Sequence, residues 1–321
     1  EGFRSKVLVR WGDALWSDAK GAYSAETGVS VEMSDRVFGE NTDGMELFEA
    51  DGRQLIAVNS EYVNPKINLP AASEGVPQSA EEVMLLKNLQ GVTVMEVARG
   101  DNGYQVVKDS PYNRRITHET EMVLAGPLAG HPLVQTHADP EGRRVKGTMN
   151  NCGAGKTLWG TYLTCEENFN GYFWGAKKDH PEKDKLKRYG VPGKWFDWGK
   201  FHERFNIEKE PNEPNRYGWL VELDPYDPHA RPIKRTALGR FKHEGSAVLL
   251  NVDDRVVVYS ADDQTGEYIY KFVSDKRFDI SNRRANFDLL DHGTLYVAKF
   301  EETGCVHWLP LVQGEGPLTK K

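Results

Sequence analysis

Apolar residues in this chain gather into short runs, some alternating with polar residues and some continuous. They fall at residues 5–11 (SKVLVRW), 53–62 (RQLIAVNSEY), 92–99 (VTVMEVAR), 104–109 (YQVVKD) and 157–167 (TLWGTYLTCEE). Others follow at 217–225 (YGWLVELDP), 254–263 (DRVVVYSADD), 267–275 (EYIYKFVSD) and 293–302 (GTLYVAKFEE). Most are rich in Val, Tyr and Thr and bounded by Gly, Asp, Asn or Pro, which is the signature of strands. The pattern therefore predicts an all-β fold. The clearest helical window is residues 79–91 (SAEEVMLLKNLQG): Ser79 can cap it, Glu81 and Glu82 suit its first turn, and Gly91 follows its end. It reads as a small helical insertion between strands. Residues 175–215 break the pattern with dense charge, prolines and clustered aromatics. A long excursion with partial helix is expected there, its Lys-rich start a solvated surface.

Several of the predicted strands end in acid: Glu61, Glu166, Asp262 and Glu301. Sheets arranged radially bring the ends of equivalent strands around one axis, so such carboxylates could converge. A β-propeller occupying residues 1–321 as one domain meets that description. Strand ends are also where any protein puts charge, and spacing alone does not separate the two readings.

Composition narrows the field. A chain of 321 residues exceeds the usual single core, so two domains or one architecture that grows by units are both open. Aromatics at 11%, with 31 Gly and 16 Pro, favour strands and turns. A net charge of -7 argues against a nucleic-acid partner held through phosphates, and leaves acidic groups free for cations. No apolar run reaches the roughly 18 to 20 residues of a membrane span, and the opening EGFRSKVLVRWGD lacks the form of a signal peptide. A soluble chain, mature or truncated, is expected. Three cysteines, Cys152, Cys165 and Cys305, are too few for a disulfide framework, and their odd number leaves at least one thiol unpaired within the chain.

The candidate chemistry centres on residues 150–168. GAGKT at 153–157 imitates the end of a phosphate-binding loop, but that motif needs glycine at position 150, which is Asn150, and a helix afterwards, where a strand pattern follows. Cys152 lies instead in a polar, glycine-containing stretch read as a loop before a strand. Its thiolate needs a cation, and Asn150, Asn151, Thr164, Glu166 and Glu167 supply oxygens nearby in sequence. Adjacent glutamates on a strand point to opposite faces, so one of Glu166 and Glu167 faces a metal and the other supports it. Cys165, inside the strand, reads as a small buried hydrophobe. In FKHEGSAV the better ligand is Glu244, because a histidine on an apolar face, here His243, more often just satisfies a hydrogen bond. Asp262 and Asp263 suit either a calcium ligand set or a turn.

NNC, WGTYLTCEENFNGYF, KHEGSAV and SADDQTGEYIYKFVSD, in this order, resemble the PhoX-type alkaline phosphatases, and VLVRWGDALW, LIAVNSEYVNP and GTLYVAKF with its trailing WLPL extend the likeness along the chain. The resemblance implies a six-bladed β-propeller, a mixed iron and calcium centre, and hydrolysis of small-molecule phosphate monoesters by a monomer. It also implies export of the folded protein by the twin-arginine route to the periplasm or beyond. Carried over by motif, Cys152 matches an iron-bound cysteine and Glu244 an acidic metal ligand, with Glu61, Glu166, Glu167 and Asp262 as further ligands. Members of the family continue past WLPL to an Arg-Pro-Glu motif that would furnish the phosphate-binding arginine. The present chain is thus expected to hold only part of the blades and to lack both that motif and the export signal. Rival readings are a non-catalytic calcium-stabilised propeller that binds a partner, and a hydrolase of diesters or phytate on the same scaffold.

Overall fold

The protein is described by a computed structural model covering residues 2, 5–176 and 178–319. A two-stranded hairpin, β1 (Tyr23–Ser24) and β2 (Gly28–Val29), precedes three larger sheets. The first sheet holds β3 (Thr42–Ala50), β4 (Arg53–Ser60), β5 (Gly91–Gly100), β6 (Gly103–Val106) and β7 (Arg114–Ile116). Its opening hairpin turns on Asp51 and Gly52, both at positive φ, which matches the right-handed twist of the paired strands. β4 and β5 are buried along most of their length, so their runs read as continuous rather than alternating. β5 serves two partners in turn: Val97 pairs with Val106 of β6, and Val92 with Ile116 of β7.

Between β4 and β5 lie α1 (Pro65–Asn68) and α2 (Ala80–Asn88), the latter capped by the Ser79 side chain accepting from the Glu82 amide. This is the expected helical insertion. The second sheet contains β8 (Glu121–Ala125), β9 (Arg144–Lys146), β10 (Asn151–Lys156), β11 (Tyr162–Glu166), β12 (Leu220–Leu223) and β13 (Ile233–Arg235). Their spatial order is β10-β11-β12-β13-β8-β9, and β13 with β8 is the parallel pair in an otherwise antiparallel sheet. The third sheet is a plain antiparallel meander of β14 (Ala247–Leu250), β15 (Arg255–Ala261), β16 (Ile269–Arg277), β17 (Gly293–Phe300) and β18 (Val306–Pro310).

The second sheet lies between the other two, and β11 shows why. Tyr162 packs with Phe48 and Leu55 of the first sheet, while Leu163 and Cys165 pack with Val256, Val258 and Phe272 of the third. Successive side chains of a strand point to opposite faces, so a strand between two cores is buried at every position, and its polar members Thr164 and Glu166 are hydrogen-bonded.

Three expectations change. Residues 5–11 form no strand. Residues 157–161 form a tight turn before β11, held by the Thr157 and Thr161 hydroxyls 2.7 Å apart. Residues 175–215 do contain α3 (Lys183–Arg188), but the stretch is not merely superficial. Trp198 and Phe205 are fully buried against His118, and Trp198 also packs on Tyr172, so clustered aromatics marked a core contribution that charge density concealed. Lys178 at its start is exposed, and Lys177 lies outside the described residues. Among the described residues no helix is long and apolar enough to cross a membrane.

Candidate metal centre

Cys152 does not sit in a loop. It lies in β10 at a register shift, where Asn151 pairs with Glu166 and Ala154 with Thr164, so Cys152 and Gly153 together face Cys165. Such a bulge re-aims a side chain without ending the strand. The surrounding glycines permit close approach of other backbones. A Cβ on Gly153 would stand 2.4 Å from the Gly245 nitrogen, one on Gly155 2.2 Å from the Ser246 carbonyl oxygen, and one on Gly44 2.8 Å from the Cys152 carbonyl oxygen. The glycines of GAGKT therefore let the segment entering the third sheet close on β10, and Gly44 does the same for the first sheet. Asn59 of β4, wholly buried, completes the junction: its amide donates to the carbonyls of Cys152 (2.5 Å) and Gly153 (2.9 Å), and its oxygen accepts from Tyr162 and Thr164.

Around this bulge the Cys152 sulfur and carboxylate oxygens of Glu167 and Glu244 lie within 4.8 Å of one another. Each carboxylate follows a strand or bridge and has its own amide anchored. Glu61 donates to the Asn41 carbonyl (2.9 Å), Glu167 to Asn150 (3.0 Å), Glu244 to Ala261 (3.2 Å) and Asp263 to Lys242 (3.0 Å). Asn41 and Asn150 both adopt left-handed φ, which asparagine tolerates better than most residues. Three sheets thus deliver side chains to one place.

The electrostatics are those of negative groups crowded without compensation. Burial is the main cause that lifts the Glu61 carboxyl to about 7, reinforced by Asp43, Glu244 and Asp263 and opposed by a hydrogen bond with Glu167. Glu167 is raised by burial, then by Glu244, Glu61 and Asp263. Glu244 is raised by burial, then by Asp263 and Asp43. The Cys152 thiol is driven upward by burial, then by Cys165, Glu167 and Glu244, and donates to the His243 carbonyl at 3.0 Å. The charged neighbours that act most on Glu167 are the carboxylates of Glu244, Glu61 and Asp263. One soft sulfur beside several hard oxygens is a donor set that metal ions fit.

Of the sequence candidates, Cys152, Glu61, Glu167 and Glu244 come together. Glu166 does not join them. Its carboxylate is fully buried on the other side of β11, bonded to Lys234 at 2.7 Å and to the amides of Gly218 and Trp219. Strand alternation separates it from Glu167. Asp262 accepts from the Gln264 amide in a turn and is raised mainly by burial, whereas Asp263 is hydrogen-bonded to Glu167. Glu301 pairs with Lys299 instead. His243 is buried with both ring nitrogens engaged, by Ser260 and the Gly239 carbonyl, and burial pushes its pKa down to about 3. Cys165 is buried among apolar side chains, its thiol pushed up to about 12. Sequence reasoning missed Asp43, because it did not recognise β3, whose Met45 and Leu47 are exposed, and it missed Asn59. It noticed Asp263 but preferred its neighbour; the doubled aspartate after a strand was the available signal.

A family model described as alkaline phosphatase PhoX matches residues 1–321. A solved structure of Pseudomonas fluorescens PhoX, in complex with vanadate as a transition state analogue, superposes with a TM-score of 0.93 at 44% identity. The match covers 98% of the present chain and 56% of that chain, so this chain spans a little over half the length of that relative. No curated protein matches.

Proposed function

This chain belongs to the PhoX alkaline phosphatase family, and we propose that it hydrolyses phosphate monoesters at a mixed iron and calcium centre built on Cys152, Glu167 and Glu244. The observation that carries the reading is the convergence of that thiol and those two carboxylates within 4.8 Å, in a fold superposable on a PhoX that binds a transition state analogue. The sulfur suits iron, and the carboxylate oxygens of Glu61, Glu167, Glu244 and Asp263 suit calcium. Bound metals would hold the ester's oxygens, offset charge as it moves and supply the oxygen nucleophile.

The chain's own part is to aim and to hold protons. Cys152 is fixed by the bulge and by Asn59 beneath its carbonyl. Glu61, whose carboxyl lies near 7, would give up its proton on joining a bound cation, so metal binding would be linked to proton release. No G-x-S-x-G nucleophile occurs in the sequence, which suits a metal-centred reaction. The same proposal takes the three sheets as consecutive blades of a propeller, supported by their order along the chain and by the gathering of acids at their strand ends. Export in the folded state to the periplasm is supported by family membership alone.

The test is phosphate release from a chromogenic monoester by metal-loaded protein, with metal analysis alongside. Iron and calcium both bound, with a visible thiolate-to-iron absorption band lost in Cys152→Ser, support the proposal. Calcium without iron and no hydrolysis would favour a binding module instead.

A further inference from the structure

We infer that the buried pair Lys234 and Glu166 is the positioning element of this centre, fixing the backbone from which both Glu167 and Glu244 project. The inference rests on the reading of that cluster as the metal site. Both side chains are wholly shielded from solvent. The Lys234 ammonium donates to Glu166 Oε1 at 2.7 Å and to the Arg216 carbonyl at 2.9 Å, and lies 3.9 Å from the centre of the Tyr217 ring. Glu166 Oε2 accepts from the amides of Gly218 (3.0 Å) and Trp219 (3.1 Å). The pair therefore welds the end of β11 to the segment that enters β12.

The segment carrying Glu244 hangs on the same support. The Phe241 amide donates to the Gly218 carbonyl at 3.2 Å, and the His243 amide to the Glu166 carbonyl at 3.1 Å. The His243 carbonyl in turn accepts from the Cys152 thiol. Glu167 and Glu244 are the next residues after Glu166 and His243. One buried ion pair thus stands behind all three groups that lie within 4.8 Å. A buried pair is a poor source of net stability, because desolvation offsets its attraction, but it specifies geometry through its partners: here both Glu166 oxygens accept, and the ammonium is held by Glu166, the Arg216 carbonyl and the Tyr217 ring. Lys234 and Glu166 are positioning residues and touch no reacting atom.

Lys234→Met in the whole chain tests this, read by native hydrogen exchange over residues 239–246, by the number of thiols that react with a maleimide, and by metal retained against a chelator. In the wild type the exposed Cys305 reacts while Cys152 and Cys165 are buried. The variant is expected to expose Cys152 to the reagent, to speed exchange over 239–246 at least tenfold with β4 and β5 unchanged, and to weaken metal retention roughly 10- to 100-fold. Lys276→Met, which removes an exposed pair with Asp288, should change none of these. A folded Lys234→Met protein with wild-type exchange, thiol count and metal retention overturns the inference. If Lys234→Met does not fold, the double variant with Glu166→Gln leaves no lone buried charge and gives the same readouts. Absence of monoesterase activity in the wild type would count against the proposed function. Exchange and thiol reactivity need no metal, so they still decide the role of the pair.

Discussion

The carboxyl groups of Glu61 and Glu167 are hydrogen-bonded to each other, one leaving the first sheet after β4 and the other the second after β11. Burial and neighbouring acids raise both, Glu61 from 4.5 to about 7. A carboxyl whose folded pKa exceeds its unfolded value binds more protons when folded, so stability falls as pH rises between the two values. Metal-free protein is therefore expected to lose thermal stability as pH rises from about 5 to about 8, and Glu61→Gln to flatten that slope. Added metal should reverse the trend, stabilising most at the upper end, where the ligands are ionised. Melting temperatures across pH, with and without metal, check both halves.

Cys152→Ser and Cys165→Ser should separate cleanly although both thiols are buried. Loss of Cys152 removes the sulfur of the cluster and should abolish the visible thiolate absorption and monoester hydrolysis. Loss of Cys165 replaces its sulfur by a smaller hydroxyl that keeps the Gly245 amide and the Ser246 side chain as partners but packs less well on the surrounding apolar side chains, costing about 1 kcal/mol in denaturant titration while metal content holds.

Gly155→Ala should destabilise by about 1–3 kcal/mol, since its methyl group would meet the Ser246 carbonyl at 2.2 Å and push the third sheet off β10. Chemical denaturation measures the cost. Because Ser246 follows Glu244 by two residues, metal retention should fall in the same variant.

Asp263→Asn should lower metal affinity and the pKa of Glu167, whose carboxyl it both hydrogen-bonds and repels. Asp262→Asn, acting in a turn that accepts the Gln264 amide, should leave metal content unchanged. Isothermal titration with calcium distinguishes them, and equal losses in the two variants would contradict the placement of Asp263.

Much of this arrangement was readable from residue order. The strands β4, β5, β15, β16 and β17 and the helix capped by Ser79 follow from short-range pattern, and the family resemblance picks out Cys152, Glu61, Glu167 and Glu244, whereas β3 and β14 are not legible as strands. What escaped was parity and distance. Whether Glu166 or Glu167 faces the cluster turns on one residue of strand phase, and the same single step separates Asp262 from Asp263. Trp198 and Phe205 were hidden because a stretch dense in lysine and proline looks solvated, although its aromatics fill a core built mostly from other segments. Cys152 looked like a loop residue because a bulge in a glycine-rich strand carries no apolar alternation.

The parallel pairing of β8 with β13 has a consequence for how the molecule is made. Val123, paired on one side with Arg144 of β9, meets Ile233 on its other side only after the whole excursion between β11 and β12 has been synthesised. On the ribosome the β8–β9 hairpin emerges early with Met122 and Leu124, both buried in the finished protein, still waiting for cover. Glu244 comes nine residues after the end of β13, so the second sheet gains its last strand shortly before the Cys152, Glu167 and Glu244 group gains its last member. An ion held tightly by this group therefore reports a chain in which β13 has already been made and can close on β8.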